Sequence, residues 1–401
     1  MNKLVVFLLL MLASPAFAFS PHNDDSCDIG VAPAATLLLP FFEVDLDDPN
    51  GETTVFTITN VDARDRIARV TLWTVFAYPA LTFDVALDGY GVQSINLYDV
   101  IGRGVLARSC RDVPAPLPGE VVARLQRVFL EGIADDCDFV GYELDTAIGY
   151  ATIDLVRNCS ANSPMTHEYW TGDLAWDNVL IGDFEQIDSA NDFAQGSPLV
   201  HIRAVPEGGT LAQRLAMPSP FPRTFYARYQ PAVAPGLDGR QPLPSVFAAR
   251  WISDGSTMAT HFKIWREGPT GREATCGTWR NNVTEIVDVV RFDEAENAFG
   301  IWIETRTVPI PVQIFLPASS LIDVEDASIY PQPDNEAVSG WMYFNLDTPG
   351  GDATSNWVVA SMRAAGRYSV DMDAAALGNG CSPPAERSRA SEGNGTIGPR
   401  P

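Results

Sequence analysis

Gly149-Tyr150-Ala151-Thr152-Ile153-Asp154-Leu155 recurs in outline 191 residues later as Gly340-Trp341-Met342-Tyr343-Phe344-Asn345-Leu346. The shared pattern is Gly, aromatic, two residues, a bulky apolar residue, an acid or amide, then Leu. The same offset relates Val55-Phe56 to Val246-Phe247, each in an apolar stretch that meets a turn, Asp62 to Arg66 or Ser253-Asp254-Gly255-Ser256. Behind each turn a stretch ends near a tryptophan, Arg69-Val70-Thr71-Leu72-Trp73 in one case and Phe262-Lys263-Ile264-Trp265 in the other. Asn178-Val179-Leu180-Ile181 and Asn356-Trp357-Val358-Val359 follow in the same order, with the offset reduced to 178. Internal repetition on this scale predicts two related structural units from a tandem duplication with unequal loops.

The units read as β. An apolar run from Thr36 to Val44 meets the turn cluster Asp47-Asp48-Pro49-Asn50-Gly51, and Thr53 to Thr59 then alternates with period two, which predicts a hairpin. Further β-branched and aromatic stretches follow at Ala68 to Phe76, Phe83 to Leu87 and Gly91 to Leu97. Short strands with turns every ten or so residues predict a mainly all-β chain of two tandem, immunoglobulin-like β-sandwich domains. One helical insertion interrupts them: Pro118-Gly119-Glu120 opens Val121 to Leu130, where Val122, Leu125, Val128 and Phe129 recur at helical spacing. Residues 206–244 hold eight prolines and several glycines and read as a linker. The expected units are therefore 34–205 and 245–381, with an N-terminal segment at 19–33 and a disordered polar tail at 382–401.

Residues 1–18 read as a cleaved signal peptide. Lys3 supplies the positive start, Leu4 to Ala13 the apolar run, and Ala16-Phe17-Ala18 the small-x-small cleavage site. No later apolar stretch is long enough for a spanning helix. The expected location is secreted or periplasmic, after cleavage near Ala18. Cys27, Cys110, Cys137, Cys159, Cys276 and Cys381 all follow that point, so an oxidising compartment favours disulfides over metal chemistry. Loops closed within one half suggest Cys137 with Cys159, Cys27 with Cys110, and Cys276 with Cys381.

Charge excludes some partners. With 51 acids against 27 Lys and Arg the net charge is −24, a field that repels nucleic acid and anionic lipid. Lys263 is the only lysine after the leader, which removes most lysine-based catalysis. There is no Gly-x-Ser-x-Gly elbow, no phosphate-binding glycine loop and no dinucleotide fingerprint. Among the four histidines, His22 falls in the N-terminal segment and His167 lacks the second histidine of a helix-borne zinc pair. His201 and His261 read as structural residues in strands. Paired carboxylates leave no fixed spacing, and Glu43, Asp154 and Glu304 are acids in apolar surroundings, expected to face solvent from their strands.

Calcium is the one cofactor with a physical basis, because oxygen-rich loops such as Asp45, Asp47 and Asp48, or Asp135, Asp136 and Asp138, could supply its ligands. Neither cluster has the spacing of an EF-hand. Trp73, Trp265, Trp341 and Trp357 stand at repeat or strand positions and read as core, whereas Trp170, Trp176 and Trp279 stand in loop-like contexts and are the candidates for ligand contact.

The stretches Leu37-Leu38-Leu39-Pro40-Phe41-Phe42-Glu43-Val44-Asp45-Leu46, Asp192-Phe193-Ala194-Gln195-Gly196, Val200-His201-Ile202-Arg203-Ala204, Arg240-Gln241-Pro242-Leu243-Pro244 and Gly378-Asn379-Gly380-Cys381 resemble those of a group of secreted bacterial β-rich proteins with no assigned activity. The resemblance implies bacterial origin and export, and carries over no catalytic residue. The function expected is that of a non-catalytic binding or structural protein, engaged in surface association, matrix or ligand binding with a protein or glycan partner. The alternative is a secreted carboxylate-dependent hydrolase acting on polysaccharide.

Overall fold

The structure is a computed structural model. It describes residues 31–75, 77–108, 116–131, 133–134, 137–138, 144–205, 209–217, 221, 224–226, 235–252, 258–266, 288–301, 313–317, 338–346, 355–364, 369–370 and 374–377. The leader, the tail, Cys27, Cys110, Cys276, Cys381, Asp135, Asp136, Trp279 and Glu304 lie outside the described residues, as do the side chains of Cys137 and Asp138.

The chain is mainly β, and every strand pair described is antiparallel. Strands β1 (Thr36–Val44), β2 (Glu52–Asn60), β3 (Arg66–Thr74), β4 (Pro79–Leu87) and β5 (Val92–Asn96) precede the helix Gly119–Glu131. After it come β6 (Ile133–Ala134), β7 (Cys137–Asp138), β8 (Ala147–Val156), β9 (Leu180–Ile181), β10 (Asp183–Asp188), β11 (Phe193–Pro198) and β12 (Val200–Ile202). One sheet runs in the order β12-β1-β8-β3-β4, and another runs β11-β10-β2-β5. Phe42, Val70, Val85 and Ile153 of the first sheet meet Phe56, Ile58, Ile95 and Phe184 of the second in one apolar cluster. The helix adds Leu125 and Phe129 to that cluster, and Phe129 meets the ring of Phe42 edge to face. Its exposed side carries the intervening polar residues, as its spacing predicts.

The second half contains β13 (Val246–Ile252), β14 (Met258–Arg266), β15 (Asp288–Asp293), β16 (Ala298–Ile301), β17 (Gln313–Pro317), β18 (Ser339–Asn345), β19 (Asn356–Ala364), β20 (Ser369–Val370) and β21 (Ala375–Ala376). Its sheets run β21-β13-β18-β15-β16 and β20-β19-β14-β17. Phe247, Trp251, Met342 and Phe344 of one meet Phe262, Ile264, Val358 and Ala360 of the other.

The expected hairpin between β1 and β2 is not formed. β1 pairs with β8 and β12, while β2 pairs with β10, β5 and β9, so the chain crosses from sheet to sheet at the Asp45–Gly51 turn. The burial patterns give the reason. β1 is buried on both faces, as its continuous apolar run TLLLPFFEV requires, whereas β2 alternates and belongs to a sheet with one core face. Pro40 has no N–H for the ladder, and the register of β1 against β8 shifts between Leu39 and Phe42.

The two halves have the same strand order, one for one, when β1 is matched to β13 and β2 to β14. The pairing of Val55-Phe56 with Val246-Phe247 is therefore displaced by one strand: the first lies in β2 between β10 and β5, the second in β13 between β18 and β21. The pairing of Arg69–Trp73 with Phe262–Trp265 is displaced likewise. The glycine-led stretches do occupy the same place, β8 between β1 and β3 and β18 between β13 and β15. Short apolar strands resemble one another too closely for sequence alone to fix which is which; a glycine required by close backbone approach is a firmer marker.

Candidate functional site

Arginine and aspartate in the middle of a strand normally face water, yet a polar row runs across the first sheet entirely inside the protein. The register places Thr36 opposite Asp154, Asp154 opposite Arg69, and Arg69 opposite Asp84, on four neighbouring strands. All four residues are buried, Asp154 with 1% exposure. They lie on the face turned away from the first core, and that face is covered by a second cluster of Leu38, Trp73, Tyr150, Tyr169, Trp170 and Tyr226.

Two cationic centres neutralise the row. The Arg69 guanidinium donates from Nε to Asp84 Oδ1 at 2.8 Å and from Nη1 to Asp173 Oδ2 at 2.8 Å, and it also reaches the carbonyls of Asn158 and Asn162. Burial works against its charge, but the Asp84 and Asp173 carboxylates outweigh this and raise its pKa. Burial pushes the Asp173 carboxyl up, while hydrogen bonds from Ser160, Arg69 and Asn162 more than offset it and leave the pKa lowered. Asp154 accepts from the hydroxyls of Thr36, Tyr169 and Tyr226, the last at 2.7 Å, and stands 3.5 Å from Arg240 Nε. Burial, reinforced by the Asp154 charge, raises both tyrosines well above the ordinary phenol value. Tyr169 and Tyr226 therefore stay protonated and serve as donors; neither is a base or a nucleophile.

The cover over this row comes partly from residues 206–244. Part of this stretch is packed: Phe225, Tyr226, Leu237, Asp238, Arg240 and Leu243 are buried, whereas the short helix Leu211–Ala216 is exposed apart from Arg214. Asp238 accepts from the backbone N–H groups of Tyr226 and Arg240, both at 3.0 Å, which ties together the two backbone positions whose side chains reach Asp154. Its carboxyl is raised by burial, with Arg240 pulling the other way.

Trp170 and Trp176 are buried in this aromatic core. Trp170 donates to the Pro164 carbonyl at 2.8 Å and meets Tyr169 and Tyr226 edge to face. Trp73 and Trp265 are buried as expected, but Trp341 is 45% exposed, with Arg250 stacked over its ring, and Trp357 is half-buried. Asp154, expected to face solvent, is covered; Glu43 is half-buried and accepts from Thr146 Oγ1 at 2.9 Å. In the Asp45 cluster, Asp45 Oδ1 accepts from the N–H groups of Asp47 and Asp48, and Asp48 Oδ1 from that of Asn50, which closes the turn by itself. Among the described residues no group of three or more His, Cys, Asp or Glu is arranged to hold a metal ion. Cys159 is disulfide-bonded, and its partner's side chain lies outside the described residues.

The second half docks on the first through β14. Trp265 enters the aromatic cluster, stacked on Phe225 and edge to face with Tyr150. Lys263 stands 3.5 Å over the Phe41 ring and donates to Gln186 Oε1 at 3.3 Å, while Gln195 Nε2 donates to the Ala360 carbonyl. Beside this contact a cleft of about 180 Å³ separates Phe184, Leu199 and His201 of the first half from Trp357 and Val359 of the second. No carboxylate lines it. His201 is 2% exposed and accepts from the Gly182 N–H at Nε2, 3.1 Å away. Burial lowers its pKa to about 4, so the ring is neutral and its single proton sits on Nδ1.

No family model, no curated protein and no solved structure matches this chain. Among the described residues no helix is long and apolar enough to cross a membrane.

The row and its cover escaped the sequence reading because Arg69, Asp84, Asp154 and Asp173 are far apart in the chain. One signal was present: Arg69 and Asp154 each interrupt an otherwise apolar strand.

Proposed function

We propose that the chain is an exported, non-catalytic binding or structural protein made of two related, immunoglobulin-like β-sandwiches, serving in surface association, matrix or ligand binding with a protein or glycan partner. The observation that carries this reading is the use made of the acids. Asp84, Asp154 and Asp173 are buried and held by arginines and hydroxyls, which is how a fold neutralises charge it has enclosed. A carboxylate-dependent glycosidase needs two acids about 5–10 Å apart facing a space the size of a sugar. The cleft between the halves is lined by no carboxylate; its walls are mainly apolar, with Ser197 and His201 as the polar residues. Duplication is supported by the matching strand orders and by Gly149 and Gly340. A Cβ on Gly149 would meet the Trp73 carbonyl at 2.2 Å, and one on Gly340 the Phe292 carbonyl at 1.9 Å. In both cases that carbonyl belongs to the residue opposite the following aromatic, Tyr150 or Trp341. Export and bacterial origin rest on the leader and on the family resemblance, and the disulfide at Cys159 accords with an oxidising compartment.

The test pairs a glycan and matrix-protein binding screen with reducing-end assays on a polysaccharide panel. The expected result is saturable binding without turnover. Turnover that disappears on changing a single acid to its amide would replace this reading with the hydrolase.

A further inference from the structure

We infer that the cleft between the two halves is a binding site for a ring-sized, largely apolar molecule carrying one hydrogen-bond acceptor, held by the His201 Nδ1–H. This rests on the binding reading above and names the chemistry of one ligand. Size comes first: a cavity of about 150 Å³ lined by aliphatic and aromatic side chains takes up benzene, and this cleft is of that order. The walls are mainly apolar, with Phe184 and Leu199 on one side and Trp357 and Val359 on the other, and Ser197 and His201 are the polar lining residues, so an aromatic or alicyclic ring would replace water against apolar surface on both sides. Polarity comes second. Nε2 of His201 is occupied by the Gly182 N–H, so the neutral ring has one donor left, and the Gly182 contact is the one hydrogen bond the His201 side chain makes among the described residues. A donor that lines an apolar-walled cleft and has no side-chain acceptor among the described residues selects a ligand that supplies one and disfavours a ligand that does not. A cation gains nothing here, because no carboxylate lines the walls.

The experiment uses the purified full chain labelled with ¹⁵N-histidine, titrated with benzaldehyde and, separately, with toluene. The proposal expects a saturable shift of the His201 ring nitrogens with benzaldehyde and about tenfold tighter binding than for toluene, the worth of one hydrogen bond. His201→Phe should abolish the preference. Ala374→Leu, which fills the cleft while leaving His201 in place, should weaken both probes and keeps the test valid should His201→Phe fold poorly. Absence of binding by either probe, or equal binding of both with His201 unmoved, would overturn the assignment. Either outcome leaves the glycan and turnover assays untouched, so a failed cleft and a failed binding function are told apart.

Discussion

Arg69 shows what a charge inside a β-sheet requires. It forms ion pairs with Asp84 and Asp173, and its remaining contacts reach backbone carbonyls. Arg69→Met would leave two carboxylates buried without their cation, and we expect a loss of about 3–5 kcal/mol in denaturant unfolding. Arg69→Met combined with Asp84→Asn and Asp173→Asn should recover part of that loss; no recovery would mean the arginine acts through packing alone. His201 gives a second prediction. The folded protein holds it neutral down to about pH 4, whereas the unfolded chain protonates it near 6.5. The unfolded state thus binds more protons between these values, so stability is full above pH 6.5 and is lost as pH falls toward 4, by roughly 3 kcal/mol. Denaturant midpoints at pH 7, 5.5 and 4.5 should show that loss, and His201→Gln, which keeps an acceptor for Gly182, should show less of it. Both residues were visible in the sequence as polar interruptions of strands; their burial was not, because the partners come from far along the chain: Asn158, Asn162 and Asp173 for Arg69, and Gly182 together with the second half's Trp357 and Val359 for His201.

At the scale of elements, strand identity was legible and strand pairing was not. β1, β2 and the 119–131 helix lie where their apolar periods predict, because burial of one or both faces leaves its mark directly on spacing. Whether β1 turns back on β2 depends on which strand fills its edges, and β8 and β12, far along the chain, fill them. Gly149 and Gly340 were legible for a backbone reason, since each strand is pressed against a neighbour's carbonyl where a side chain would collide. We expect Gly149→Ala and Gly340→Ala each to cost at least about 1–3 kcal/mol by thermal or chemical unfolding, as overpacking does in a core. A change that is neutral at one site and severe at the other would weigh against their equivalence. Phe129→Ala should cost about 3–5 kcal/mol, because the ring is fully buried against Phe42 and holds the helix on the sheets.

For the molecule as a whole, the repeated pattern leads to the expectation of two units and says nothing of how the two halves of the chain meet. The second half supplies Trp265 to a core whose other buried members belong to the first half and to the stretch read as a linker, and its Trp357 packs against the same core, so β14 and β19 both help cover the outer face of the first sheet. The Pro-rich composition of 206–244 suggested a spacer; Phe225, Tyr226 and Leu243 make part of it a cover, since aromatic and aliphatic side chains placed between prolines can still be buried. The two halves of the chain share this aromatic core and are expected to fold as one body around it. Residue-resolved hydrogen exchange on the full chain, with and without Trp265→Ala, tests it most directly. The prediction is that Trp265→Ala lowers protection in β1, β3 and β8 of the first half as well as in β14 and β19, and protection confined in its loss to the second half would contradict it.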